Sequence, residues 1–394
     1  MYRWVLVAAS FVFMFAFWSA QASFSVFIGP LSEAFGGSRG MVSLAYTFNL
    51  AASAGVGVVM GTVADRRGPK LAAALCGVFI GSGFLLASRA SHLWQLYLTL
   101  GVLSGMGMAG GFIVPTVVIS RWFQTQRGLA LGLAFTSIGV SYMVGPPWAG
   151  YLIGAVGWRT AYVVLGASAL LLALSMVPLF RWPAAGASTG KSSGARQDGP
   201  SLREALRGSA FWVVFAVWGL QGFAVMAVTT HLVPFATDQG ISLARAASLF
   251  TTYGVATTVA RSAFGGLADR YGAKPIFALC VVLQIAALLG LLFGGGLAHF
   301  YVAAALLGLG ASGGDTVITR ESPELFGTAA LGAIMGAVVI GWRLGAAVGS
   351  PFAGFVFDST AAYTISLWVA LALMAAAGPL FLLGLRSRRR GAAR

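Results

Sequence analysis

Gly61-Thr-Val-Ala-Asp65-Arg66-Arg67-Gly68-Pro69-Lys70 returns as Gly265-Gly-Leu-Ala-Asp269-Arg270-Tyr271-Gly272-Ala273-Lys274, at an offset of 204 residues (265 − 61). The same offset relates Pro147-Trp-Ala-Gly150-Tyr151 to Pro351-Phe-Ala-Gly354-Phe355, Gly145 to Gly349, and Cys76 to Cys280. One offset that holds without a gap from residue 61 to residue 151 identifies a structural unit used twice.

The chain of 394 residues is 58% hydrophobic, and charged residues make up only 9%. A soluble domain carries roughly 25%. Runs of about 20 apolar residues recur along the sequence, each long enough to cross a ~30 Å hydrocarbon layer as a helix. The chain therefore reads as an integral membrane protein. The stretch Trp4–Pro30 is too long for the core of a signal peptide and ends without an A-x-A site, so it reads as the first span. In such a chain a doubled unit implies a carrier of two pseudo-symmetric lobes, with the solute held between them.

Twelve spans fit the sequence, at 4–30, 40–63, 69–88, 93–119, 128–154, 160–180, 210–234, 244–267, 275–296, 299–319, 328–357 and 363–385. The expected class is all-α and polytopic, in two six-helix lobes at 1–182 and 210–394. With both termini cytoplasmic, nineteen Lys and Arg residues fall on the cytoplasmic side, and only Arg39, Arg89, Arg159 and Arg245 fall outside. Retention of positive charge inside explains that bias and with it the net charge of +15, so no nucleic-acid partner is needed. The expected surroundings are a lipid bilayer, that of a bacterial cytoplasmic membrane, and the expected working form is a monomer.

Residues 183–209 join the lobes. Pro183 to Pro200 is rich in Gly and Ser and reads as a flexible cytoplasmic linker. Ser201-Leu-Arg-Glu204-Ala-Leu-Arg207 reads as a short amphipathic helix capped by Ser201. Residues after 385 form a basic tail. Two cysteines at equivalent places in the two halves provide neither a disulfide framework nor a metal set, and no cofactor is implied. Gly-Lys-Ser at 190–192 has the wrong upstream spacing for a phosphate-binding loop. No HExxH, GxSxG or carboxylate pair lies in a span, so an enzyme has no residues to use.

The motif Gly-x-x-x-Asp-Arg-x-Gly-x-Lys after the second and eighth spans resembles the loop motif of the major facilitator superfamily. Its logic is readable: an Asp at a helix end, an Arg able to pair with it or with a neighbouring helix end, and a Gly for the turn. Asp65, Arg66, Asp269 and Arg270 are the expected conformational latch.

A narrower resemblance is to the oxalate/formate antiporter and monocarboxylate transporter branch. Ser120-Arg121-Trp122-Phe123, Arg127-Gly128-Leu-Ala-Leu-Gly132 and Gly157-Trp158-Arg159 carry it. So do His231-Leu-Val-Pro234-Phe-Ala-Thr-Asp238-Gln-Gly240 and Arg261-x-x-x-Gly265-x-x-x-Asp269. The resemblance implies a substrate-carboxylate ligand at Arg261 and a second cation at Arg343. Animal members place an Asp where this chain has Thr257, and a Lys in the first span, which here has no internal charge. The implied function is secondary transport of small mono- or dicarboxylates by alternating access, as proton symport or anion exchange. A multidrug or other small-solute exporter of the same fold is the alternative, since Gly139-Val-Ser-Tyr-Met-Val-Gly145-Pro146-Pro147 is similar to the exporter motif of the fifth span.

Of 35 charged residues, only Arg261, Arg343 and Asp315 fall well inside spans. A charge there costs several kcal/mol unless it meets water or a partner. Subtracting 204 puts Gly57 opposite Arg261 and Gly139 opposite Arg343, so the fold itself requires neither cation. Arginine suits a carboxylate through its planar fork. Asp315 either balances one arginine or carries a proton, and His231 is a second titratable candidate for coupling. In the first lobe Gln21, Ser25, Tyr46, Asn49 and Tyr142 are uncharged candidates for contact with the substrate. The glycines of Gly341-x-x-x-Gly345-x-x-x-Gly349 are expected to serve close helix packing.

Overall fold

The computed structural model describes residues 2–123, 126–182, 199–327 and 330–384, without the side chains of Val58, Asp65, Arg127, Gly128 and Gly332. Most of the expected linker, residues 183–198, and the basic tail from 385 lie outside the described residues.

Among the described residues twelve long helices follow one another. They are α1 (Tyr2–Phe35, with an irregular turn at Ser23), α2 (Arg39–Arg67), α3 (Pro69–Ala87), α4 (Leu93–Trp122), α5 (127–156) and α6 (158–176). Then come α7 (Ser209–Asp238), α8 (Leu243–Tyr271), α9 (Ala273–Phe293), α10 (Leu297–Phe326), α11 (Leu331–Thr360) and α12 (Thr364–Gly384). A bilayer offers no partner to backbone amides, so apolar segments of this length close their hydrogen bonds internally as helices.

Among the described residues ten helical stretches are long and apolar enough to cross a membrane. One of them, Leu129–Leu179, is two spans that bend at Gly157, whose φ of 77° and ψ of 163° are not helical. α8 lacks the apolarity of the others, for it carries Arg245, Arg261, Asp269 and Arg270 and also Thr251, Thr252, Thr257 and Thr258. These two facts reconcile ten stretches with twelve helices.

The repeat is visible in the backbone. Gly68 (φ 95°, ψ 157°) and Gly272 (φ 88°, ψ 153°) make the same turn between consecutive helices, in a region that side chains avoid. It is visible in packing too. A Cβ at Gly145 would lie 2.6 Å from the Ser19 carbonyl oxygen, and one at Gly349 would strike the Phe223 carbonyl, again 204 residues on. Glycine therefore lets α5 touch the backbone of α1, and α11 that of α7. Gly107, Gly110 and Gly111 of α4 face Cys76 and Ile80 of α3 and Phe17 of α1, as Gly310, Gly313 and Gly314 of α10 face Cys280, Gln284 and Gln221. On this helix the offset is 203 (310 − 107), so the gapless offset expected from the sequence shifts by one residue here before returning to 204 on the next helix.

Two compact units result, Met1–Ser193 with Leu232–Gly254, and Gly194–His231 with Val255–Arg394. The first is centred on a phenylalanine-rich core in which the Phe27 and Tyr162 rings stack at 4.0 Å. Within it the segment 232–254 is held closely. Gly150 faces Ala247, Gly254 faces Gly139 and Met143, and Thr251 Oγ1 donates to Met143 O (3.0 Å). In the second unit α7 packs on α11 through Gly219, Gly222, Gly341, Gly345 and Gly349, and Phe277 meets Phe381 at 4.0 Å. Lipid drives such contacts weakly, so close van der Waals approach of small residues supplies the attraction. The short helix is also present, Leu202–Arg207, with Ser201 Oγ accepting from Glu204 N (3.3 Å) and Glu204 Oε2 accepting from Ser201 N (2.8 Å).

Candidate functional site

In the second unit two neutral donors and one arginine are gathered around the Asp315 carboxylate. Trp218 and Gln221 are three residues apart on α7 and so share a face. Both point at α10. The Trp218 indole donates to Asp315 Oδ1 at 2.6 Å, and Gln221 Nε2 donates to Ala311 O at 2.8 Å and to Asp315 Oδ1 at 3.3 Å. Ala311 and Asp315 are one turn apart, so a single amide spans a turn of α10. Gly314 makes room for it, since a Cβ there would come 3.2 Å from Gln221 Oε1. Trp218 and Gln221 are both buried.

Arg261 approaches from α8. Its charge acts on Asp315, yet the two form no direct salt bridge. Its Nε is buried and has no hydrogen-bond partner. A buried guanidinium N–H without an acceptor costs roughly 1–3 kcal/mol, which an incoming oxygen ligand would recover. The expected ion pair at Asp315 is thus replaced by two neutral donors, with the cation nearby and still able to take another partner.

The repeat isolates this cluster. Subtracting 204 from Trp218, Gln221 and Arg261 gives Met14, Phe17 and Gly57, and subtracting 203 from Asp315 gives Phe112. Every polar member has an apolar or absent side chain in the other half. Trp218 and Gln221 were not legible as site residues from their own helix, where an indole and an amide read as packing. The comparison with Met14 and Phe17 is the signal that finds them.

Arg343 is half-buried on α11, two residues from both Gly341 and Gly345. At 100° per residue it points away from the glycine stripe that packs on α7. His231 is buried. Its Nε2 donates to Ser350 O (2.9 Å), and its Nδ1 accepts from the Tyr363 hydroxyl (3.2 Å). A carbonyl only accepts, so the proton sits on Nε2. Both ring nitrogens tie α7 to the α11–α12 region.

In the first unit Gln21, Tyr46 and Asn49 line one cavity of about 10 Å³, together with Ser104 and Tyr162. That is room for about one water. The Tyr162 hydroxyl is buried without a partner. Asn49 Nδ2 donates to Leu100 O (2.9 Å) and Ser104 Oγ (2.8 Å), beside the π-helical stretch Tyr97–Leu103 of α4. Ser25 and Tyr142 lie elsewhere: Ser25 Oγ accepts from Val233 N (3.4 Å), and the Tyr142 ring meets those of Phe250 and Tyr253.

At the second expected latch position the carboxylate is held by a residue from outside the motif. Asp269 Oδ1 accepts from Arg320 Nε of α10 (2.6 Å), and Arg320 Nη1 also donates to Glu321 (2.7 Å). Arg270 instead lies over the Tyr271 ring. Arg270 follows Asp269 directly on α8 and so projects about 100° away from it, while Arg320 reaches the carboxylate from the neighbouring helix. Arg66 is exposed, and the Asp65 side chain is outside the described residues. A second ion pair joins Asp238 of the His231–Gly240 motif to an arginine outside every motif. Arg39, the first residue of α2, donates from Nη1 to Asp238 Oδ2 (2.6 Å) and from Nη2 to Oδ1 (2.7 Å), Asp238 being the last residue of α7.

Comparison with known proteins agrees with this architecture. Monocarboxylate transporter 13 of Bos taurus is 30% identical over 395 residues, covering 96% of this chain and 89% of its own. Monocarboxylate transporter 11 of Mus musculus is 30% identical over 388 residues, covering 93% and 83%. A bacterial homolog of the human lysosomal transporter Spinster, solved in an inward-facing and unoccupied conformation, has the same fold. Its TM-score is 0.78 at 17% identity, with 98% of this chain and 97% of that chain covered. The family described as the Major Facilitator Superfamily matches residues 6–251 and 232–394. With twelve helices, a doubled six-helix unit and that match over nearly its whole length, the chain belongs to the Major Facilitator Superfamily, and it is a membrane transporter and not an enzyme.

Proposed function

We propose that this transporter carries small carboxylates, monocarboxylates first, with Arg261 as the ligand of the carboxylate group. The observation that supports this reading most directly is the buried, unpartnered Arg261 Nε beside Asp315. The arginine is present where the repeat has Gly57, so packing does not call for it. Relatives named as monocarboxylate transporters support the substrate class. Arg343 is the second anion contact, used by a second carboxylate where the substrate has one. Transport proceeds by alternating access in a cytoplasmic membrane with both termini on the cytoplasmic face, a reading that the excess of Lys and Arg in the corresponding loops supports.

The test is counterflow in proteoliposomes with a panel of mono- and dicarboxylates at two external pH values, comparing the wild type with Arg261→Gln. The wild type should exchange monocarboxylates, and the variant should lose exchange while remaining folded. Losing a charged partner costs ~1.5–3 kcal/mol, roughly ten- to more than hundredfold in affinity. Unaltered counterflow by Arg261→Gln would remove the arginine from the site.

A further inference from the structure

Helix α4 holds one residue more than its repeat, and the place where it is absorbed can be read to within a few residues. α4 and α10 begin 204 residues apart, at Leu93 and Leu297, and Tyr97 matches Tyr301 at the same offset. From Gly105 and Gly308 onwards the offset is 203. The extra residue therefore falls between Tyr97 and Gly105, where α4 is π-helical over Tyr97–Leu103, while α10 is α-helical over Leu297–Phe326. A π turn closes its hydrogen bonds over five residues instead of four and so houses one more residue, and such turns gather at functional sites. We propose that this inserted turn builds a binding site for one water molecule in the first unit, held between the Tyr162 hydroxyl and Asn49, independently of what the carrier transports.

The backbone of the turn carries the first step. The Ser104 amide bonds to Thr99 O and Gly101 O and passes over Leu100 O. Leu100 O accepts from two side chains, Asn49 Nδ2 of α2 (2.9 Å) and Ser104 Oγ. Asn49 Nδ2 also donates to Ser104 Oγ (2.8 Å). With both amide hydrogens so used, Asn49 has its Oδ1 to offer to the cavity beside it, and that atom only accepts.

The cavity carries the second. Asn49, Leu100 and Ser104 line it together with Gln21, Tyr46 and Tyr162, and its volume of about 10 Å³ suits one water. The Tyr162 hydroxyl is buried and has no partner among the described residues. A water that accepts from this hydroxyl and donates to Asn49 Oδ1 satisfies a donor that is otherwise costly to bury, with the Gln21 amide as a further partner. None of the lining residues is charged. A cation there would stand uncompensated inside the membrane, so the site suits a neutral occupant.

The other half of the chain carries the third. Gln21, Tyr46 and Ser104 correspond to Val225, Phe250 and Leu307, none of which has a polar side-chain atom. The fold closes there without the extra residue and without that polar lining. The inserted turn and the polar lining thus occur together in one half and are both missing from the other.

The experiment is a density map of the purified full-length protein fine enough to show ordered water, paired with thermal unfolding. The wild type should show one peak about 2.7–3.0 Å from the Tyr162 hydroxyl. Tyr162→Phe keeps the ring and removes the donor. It should lose the peak and melt about 1–3 °C lower. A hydroxyl that bound nothing would be a burden, so a melting temperature unchanged or raised in Tyr162→Phe overturns the proposal, as does a wild-type map with no peak. Deleting Thr99 restores the count of the other half. It should turn residues 97–103 into regular α-helix and abolish the peak. A peak that persists beside a regular helix removes the π turn from the site. A melting temperature that rises with sodium chloride but not with choline chloride would mark a cation site and likewise overturn the proposal. Should the deletion variant not fold, the wild-type map and Tyr162→Phe decide.

Discussion

Arg39 and Asp238 each sit at the wrong end of their own helix and at the right end of each other's. Arg39 is the first residue of α2, where the helix dipole presents positive charge, and Asp238 is the last of α7, where it presents negative charge. Their two-pronged bond at 2.6 and 2.7 Å brings the arginine to the carbonyl end of α7 and the aspartate to the amide end of α2. Neither residue stabilises the helix it belongs to. Both serve the contact.

Breaking that contact should therefore cost more than an ordinary exposed pair. Arg39→Ala or Asp238→Ala should each destabilise the protein by about 1–2 kcal/mol. The swap Arg39→Asp with Asp238→Arg should recover most of the loss, because each charge then also suits its own helix. Thermal unfolding in detergent reads this. A swap no better than either single variant would show that the pair contributes nothing specific.

Arg343→Gln should separate two kinds of substrate. Diacids should bind roughly tenfold or more weakly, while monoacids change little, because Arg261 alone holds a single carboxylate. Thermal-shift titration with matched mono- and diacids is the measurement. An equal loss for both classes would make Arg343 a stability residue.

Gly349→Ala should be among the most damaging single changes in the second unit. The added methyl meets the Phe223 backbone, and the α7–α11 pair has to separate. Overpacking of this kind costs about 1–3 kcal/mol. Gly145→Ala, its counterpart against Ser19, should do comparable harm, whereas Gly132→Ala, with open space around it, should be harmless. Melting temperatures of the three variants give the order directly.

The short helix Leu202–Arg207 should lose its start in acid. Bonds from the Ser201 backbone amide and hydroxyl hold the Glu204 carboxyl below its ordinary range. A depressed value means that the stabilisation is present at neutral pH and is lost as the pH falls through that value. Amide exchange at residues 201–205 should therefore accelerate only below the ordinary Glu range. Glu204→Gln, which keeps a carbonyl acceptor for the Ser201 amide, should remove the pH dependence.

Local patterns made part of this structure readable. The turn glycines Gly68 and Gly272 announced the repeat, because only glycine fits that backbone. Arg261 and Asp315 announced a site, because charge is scarce inside a membrane. α8 was the least apolar of the spans read from the sequence, and the repeat supports it by placing its Asp269 motif opposite that of α2. What stayed hidden were pairings across distance. Asp269 with Arg320 spans 51 residues and Arg39 with Asp238 spans 199, and no periodicity encodes either. The cradle around Asp315 was hidden for another reason: tryptophan and glutamine are read as filler until Met14 and Phe17 are set beside them.

The grouping of Leu232–Gly254 with the first unit has a consequence for the order in which the molecule is made. Arg39 is synthesised 199 residues before the aspartate that receives it. At about 5–20 residues per second that is an interval of roughly 10–40 s. Throughout it the Ser25 hydroxyl, the Met143 carbonyl and the Arg39 guanidinium wait without the partners they have in the finished protein. The first six helices thus emerge as an unfinished piece, closed only when the seventh and eighth arrive. A chain severed in the linker would release that piece permanently incomplete, and co-expression of the severed halves would restore it through the same few residues.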